Sequence, residues 1–313
     1  VSIAIVVASQ VMVMFLLMGL GVVATRRGLL TVDAAKTFAN FLLVIVMPSI
    51  IVKSFQRPFV VSQLQSLGLA FLLAIIFHLV AIIVSYLLIG HRDDPNFRVE
   101  RMAAIYSNCS FMGIPMLYAV LGDDGVFYGV AFMGVFNILT WTNGVLTLMG
   151  RDNKIKLLKM IFNPGTIGLI IGMLLYFTNT TLPSVFMDTI TFVSNLNTPL
   201  AMIIVGAMLH DVNLLDAVKD INIHKLVWIR ILILPLLMIG IVLLLNISSW
   251  FENASVVVVS NIIAAACPTA VSAILMVSKF NMDSQHGSKA VAISTILSII
   301  TMPSLVALAN YLI

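Results

Sequence analysis

Apolar residues come in long blocks along this chain, separated by short polar stretches. A helix needs roughly 20 residues to cross the hydrocarbon core of a bilayer, and about ten blocks approach that length. They lie near 2–24, 36–55, 64–89, 99–120, 126–149, 163–179, 186–209, 223–246, 254–278 and 288–311. The pattern predicts an all-α polytopic membrane protein with ten transmembrane helices. The first block lacks the basic start and small-residue cleavage pattern of a secretory signal, so it is read as mature structure.

Composition agrees. With 61% hydrophobic and 10% charged residues and a mean hydropathy of +1.12, the chain has too little polar surface to cover itself in water. The formal charge of +4 is therefore read by position, and no nucleic-acid partner is expected. If the first block runs from outside to inside, the cytoplasmic loops hold Arg26, Arg27, Lys36, Arg92, Arg98, Arg101, Arg151, Lys154, Lys156, Lys159, Lys219, Lys225, Lys279 and Lys289. That is fourteen of the seventeen basic residues, and Arg230 near the cytoplasmic start of the eighth block makes fifteen. Only Lys53 and Arg57 fall outside. Cytoplasmic loops collect Lys and Arg, so the expectation is a multi-pass protein of the cell membrane with both termini outside. Both cysteines, Cys109 and Cys267, fall within blocks, which argues against a disulfide framework.

Two blocks carry polar residues where a spanning helix has little use for them. "SNCSFMGIPMLYAVL" begins at Ser107 and "SNIIAAACPTAVSAIL" at Ser260; Asn108 precedes Pro115 by seven residues, as Asn261 precedes Pro268. Both pairs are offset by 153 residues. Ten spans then divide into two five-helix repeats of opposite topology, 1–150 and 160–313, around the basic loop 151–159. A proline in the membrane frees backbone groups that lipid cannot satisfy, so such breaks must face protein or water. Matching interruptions in two inverted repeats point to the binding site of a secondary transporter. If the fourth and ninth spans cross at their breaks, two helix N-termini meet and make an electropositive point without a basic side chain. Pro48, Pro235 and Pro303 are read as kinks or packing features.

At these residues the chain resembles the auxin efflux carrier family, which includes plant PIN-type carriers and many bacterial permeases. "NCSFMGIPML" is similar to that family's fourth-span pattern, with Met116 in place of a leucine, and "CPTAVSAILMVSKFNMD" to its ninth-span pattern. "FANFLLVIVMPSIIVKSF" resembles the second span. The resemblance implies two inverted five-helix repeats with broken crossing helices four and nine, elevator-like alternating access and a homodimer. The short central loop fits the bacterial branch, whose substrates include malate and malonate. Carried over residue by residue, Asn108 binds the substrate carboxylate with Cys109 and Ser110 beside it, and Pro115 and Pro268 shape the breaks with Thr269. Asn137 in the fifth span adds a polar group near the site. Asn261 rests on the internal repeat rather than on a family motif.

His78 is the one titratable group expected deep in a span, either as a proton-linked residue or as a neutral histidine bonded between helices. No carboxylate is expected near the middle of any span, which leaves proton, sodium or no coupling ion open. Lys53, Arg57 and Arg230 read either as anion-attracting or as snorkelling residues at the interfaces. No nucleophile with a base and no metal cluster is legible, so neither an enzyme nor a cofactor is expected. The function expected is transport of a small organic anion across the bilayer. An auxin-like aromatic weak acid is the alternative substrate, and an anion channel or membrane sensor the alternative class.

Overall fold

The computed structural model describes residues 3–90, 93, 96–150, 162–280 and 282–313. The basic loop expected at 151–159, with Arg151, Lys154, Lys156 and Lys159, lies outside the described residues, as does Arg92. The described elements are all helical, with a single isolated bridge between extended residues. Seven helical stretches are long and apolar enough to cross a membrane: Ile5–Arg26, Val32–Ser54, Val61–Leu88, Cys109–Met149, Ser184–Leu209, Ile221–Leu244 and Ser284–Leu312. Pro164–Phe177 and Ala254–Ala266 are shorter apolar helices.

One of the seven is two helices joined. Cys109–Met149 is 41 residues long, about twice what a span needs. Gly122, at φ 63° and ψ −149°, interrupts it with a conformation that only glycine adopts cheaply. A Cβ on Gly129 would lie 3.5 Å from Leu117 Cγ. In a straight helix those residues would be roughly 18 Å apart along the axis, so the chain turns back at Gly122.

Three prolines act on their helices in one way. Pro48, Pro115 and Pro235 each follow a π-helical turn by two residues, the turns being Leu42–Val46, Cys109–Gly113 and Ile229–Ile233. A proline offers no N–H and crowds the carbonyl four residues back. The helix widens instead: Met47 N–H donates to Leu42 O, Gly113 N–H to Asn108 O and Leu234 N–H to Ile229 O, each five residues back. Such turns rotate the side chains they contain relative to the rest of the helix.

In lipid, helices associate through close backbone approach more than through apolar bulk. Ile3–Arg26 (α1) packs on Asn197–Leu209 in this way. A Cβ on Gly206 would lie 2.8 Å from the Met18 carbonyl carbon, and one on Gly21 2.9 Å from that of Ile203. Met47–Ser54 packs likewise on Pro164–Phe177, where a Cβ on Gly168 would meet Pro48 Cα at 2.8 Å. Val61–Leu88, Ile114–Leu139, Ala254–Ala266 and Ser284–Leu312 make a second packed group, which contains both interrupted helices.

Candidate functional site

Two helices stop in mid-block and restart. Asn96–Ile105 gives way to residues 106–108 before the turn Cys109–Gly113, and Ala254–Ala266 gives way to residues 267–270 before Val271–Lys279. The gaps lie side by side and antiparallel. Ser107 pairs with Thr269, Asn108 N–H donates to Pro268 O at 2.8 Å, and Ala270 N–H donates to Tyr106 O at 2.9 Å. Buried backbone groups need partners, and each gap supplies them to the other.

The carbonyls that end Asn96–Ile105 are accounted for almost one by one. Ala103 O accepts from the Thr269 hydroxyl at 3.0 Å, while Ala104 O and Ile105 O accept from Arg230 Nη1 at 3.4 and 3.1 Å. Arg230 Nη2 donates to Ala265 O at the end of the other interrupted helix. One guanidinium therefore joins the C-terminal ends of both first halves. The second halves start differently, since neither has a side-chain cap. The first N–H groups of a helix lack intrahelical partners and carry partial positive charge.

Most of the residues expected at the site meet here. Asn108 is 3% exposed and its Oδ1 has no hydrogen-bond partner among the described residues. Cys109, Ser110, Thr269 and Pro268 line the two gaps, and both thiols are free and buried. A Cβ on Gly113 would lie 3.4 Å from Cys267 Sγ and 3.5 Å from Cys109 Cβ, so the second helix closes on the first. Pro115 stands one turn beyond its gap and widens the helix start; the chain unwinds upstream of it, at 106–108.

Three residues lie elsewhere. Asn261 sits inside Ala254–Ala266, six residues before the gap, and donates to Val257 O at 3.1 Å. Ser107 pairs with Thr269, 162 residues further on, whereas Asn108 and Asn261 are 153 residues apart. Asn137 lines a separate cavity of about 80 Å³ with Asn40, Asn163, Ser272 and Lys279. His78 is buried, with Nδ1–H donating to Ala74 O at 2.8 Å and its ring centroid 4.8 Å from that of Phe132.

The expectation that His78 is the lone deep titratable group is overturned by Arg230, which is 0% exposed; Glu100, 3% exposed and 3.1 Å from His286 Nε2, is buried near the start of its helix. Arg230 reads in the sequence as an interfacial residue because basic residues at block ends ordinarily reach the interface, and its carbonyl partners are 35 to 126 residues away in the chain. Asn197 was missed. Its Nδ2 donates to Ser110 O at 3.3 Å across the boundary between the two helix groups, and its Oδ1 has no partner among the described residues. The polar run "SNLNTP" inside the seventh block was the available signal.

The family described as membrane transport protein matches residues 6–159 and 151–306. The chain belongs to that family, the one of the auxin efflux carriers. An uncharacterized transporter of Methanothermobacter thermautotrophicus (strain Delta H) is 25% identical over 289 residues, covering 91% of this chain and 92% of that protein. A membrane transport protein needs a route from each side to its binding site. A cavity of about 890 Å³ opens beside the C-terminal end of Met47–Ser54, where Lys53 and Arg57 line it, and reaches Pro115 and Asn197. A second, of about 520 Å³, lies at the opposite end of that span beside Lys36 and reaches Ile274 and Ser278. Each cavity thus touches the second half of a different interrupted helix.

Proposed function

We propose that this protein is a secondary transporter of a small organic anion, a malate- or malonate-like carboxylate, bound where the two interrupted helices cross. The observation that carries the reading is the crossing itself: two uncapped helix starts and the buried Asn108 side chain, whose Nδ2 is the donor a carboxylate would use, meet beside a fixed guanidinium. Amides and helix N-termini replace the water around a carboxylate without holding it so tightly that release is slow.

In this reading ten spans form two inverted five-helix repeats. Each interrupted helix and the two joined in Cys109–Met149 are counted accordingly, and the register of the repeats follows Ser107 and Thr269. One helix group serves as a scaffold and the group holding the crossing moves against it, in elevator-like alternating access. Asn197 reaches Ser110 from the scaffold side, and the two cavities become entry and exit. The carrier sits in the cell membrane as a homodimer, with both termini outside as the distribution of Lys and Arg favours. His78 takes a packing role, because its Nδ1–H is committed to Ala74 O and no acceptor among the described residues faces Nε2.

The test is counterflow of labelled malate and malonate in proteoliposomes. Saturable exchange that an unlabelled carboxylate on the far side accelerates identifies a carrier. Flux without saturation or counterflow would make the crossing a channel, and exchange of an aromatic weak acid alone would replace the substrate class.

A further inference from the structure

Arg230 heads the large side chains that are fully enclosed. A guanidinium in a membrane interior is costly and persists where something of opposite charge receives it. Among the described residues no Asp or Glu pairs with it. Its partners are the carbonyls of Ala104, Ile105 and Ala265, and its Cζ stands 5.2 Å from the Phe77 ring centroid. The first two carbonyls end one helix and the third ends the other. A helix C-terminus carries roughly half a negative charge, so the two together match one guanidinium. The π-turn before Pro235 is what holds this side chain, as Arg230 is the second residue of the turn.

Half-helix C-termini and unwound carbonyls are the places where transporters with broken helices hold a coupling cation such as Na⁺. Here that place is filled by the chain. We propose that Arg230 is a built-in counter-cation of the crossing: it neutralises the two half-helix C-termini permanently, leaves the two uncapped N-termini free for an anion, and removes any need for co-bound Na⁺. The inference rests on the carrier reading above and adds its coupling. A loaded site then holds one fixed cation beside its anionic substrate, and no inorganic cation moves with it.

The experiment has one arm that needs no substrate. Thermal unfolding of the purified protein in detergent is recorded in sodium, potassium and choline chloride at equal ionic strength. The same melting temperature in all three is expected, and a rise specific to Na⁺ overturns the proposal whether or not any carboxylate is transported. The second arm measures malate or malonate counterflow in the same salts for the native protein, Arg230→Lys and Arg230→Gln. Exchange by the native protein independent of Na⁺ is expected. Arg230→Lys keeps the charge and retains exchange, with a half-saturation within about threefold of native, whereas Arg230→Gln raises it at least about tenfold. Exchange that requires Na⁺, equal loss in the Lys and Gln variants, or native half-saturation in Arg230→Gln each overturn it. Should Arg230→Gln fail to fold, the Lys variant and the sodium comparison still decide. If no carboxylate exchanges at all, the carrier reading fails and the first arm alone judges this one.

Discussion

Replacing Thr269 by valine removes one hydroxyl and almost no volume, which makes it a clean cut at the crossing. Thr269 is fully buried, and its hydroxyl donates to Ala103 O at 3.0 Å, tying one gap to the end of the other helix. Valine would leave that carbonyl buried without its donor, at a cost of about 1–3 kcal/mol. For a chain of this size that lowers the melting temperature by about 2–5 °C. Serine keeps the donor, so Thr269→Ser should melt clearly above Thr269→Val. The assay is heating in detergent with a thiol-reactive fluorophore. Cys109 and Cys267 are the only two cysteines, both are buried, and they flank the two gaps, so labelling reports opening of the crossing. A valine variant that melts with the native protein, or a serine variant that melts as low as valine, would refute the bond accounting.

Three further outcomes are expected. His78→Gln should leave the pH profile of exchange unchanged between about pH 5 and 8, since the imidazole is enclosed by aromatic rings and bonded through Nδ1–H; a shifted profile would return a proton-linked role to it. Gly206→Ala should push Ile3–Arg26 away from Asn197–Leu209, because the new methyl would lie within 3.0 Å of Met18 backbone atoms. That variant should melt several degrees lower, and native melting would show that the helices can slide apart freely. Arg57→Ala should barely change melting, since its 2.5 Å pair with Asp124 is partly exposed. It should raise the half-saturation for anions at low salt only, as screening removes long-range attraction; an effect that persists at high salt would place Arg57 in contact with substrate.

Helix positions were legible because the length and apolarity of a span are constrained residue by residue. The windows 36–55 and 223–246 match Val32–Ser54 and Ile221–Leu244 to within a few residues. The gap at 267–270 was also legible, since Pro268 lies inside it. The other gap falls at the start of the polar stretch that begins at Ser107, seven residues upstream of its proline. Pro115 marks a widened turn, and the unwinding upstream at 106–108 is held by hydrogen bonds to Pro268 and Ala270, partners no local pattern reveals. The same holds for Arg230, whose role depends on three carbonyls from two other helices. Asn261 lies within the continuous helix that precedes the gap, its Nδ2 bonded to Val257 O and its Oδ1 without a partner among the described residues.

The most direct test of the binding site is counterflow of labelled malate and malonate by the native protein and by Asn108→Ala, with thiol-reactive melting of both as the measure of folding. The account predicts saturable exchange by the native protein and its loss in Asn108→Ala at a native melting temperature. Native half-saturation in Asn108→Ala, or no exchange of any short carboxylate by folded native protein, would contradict it.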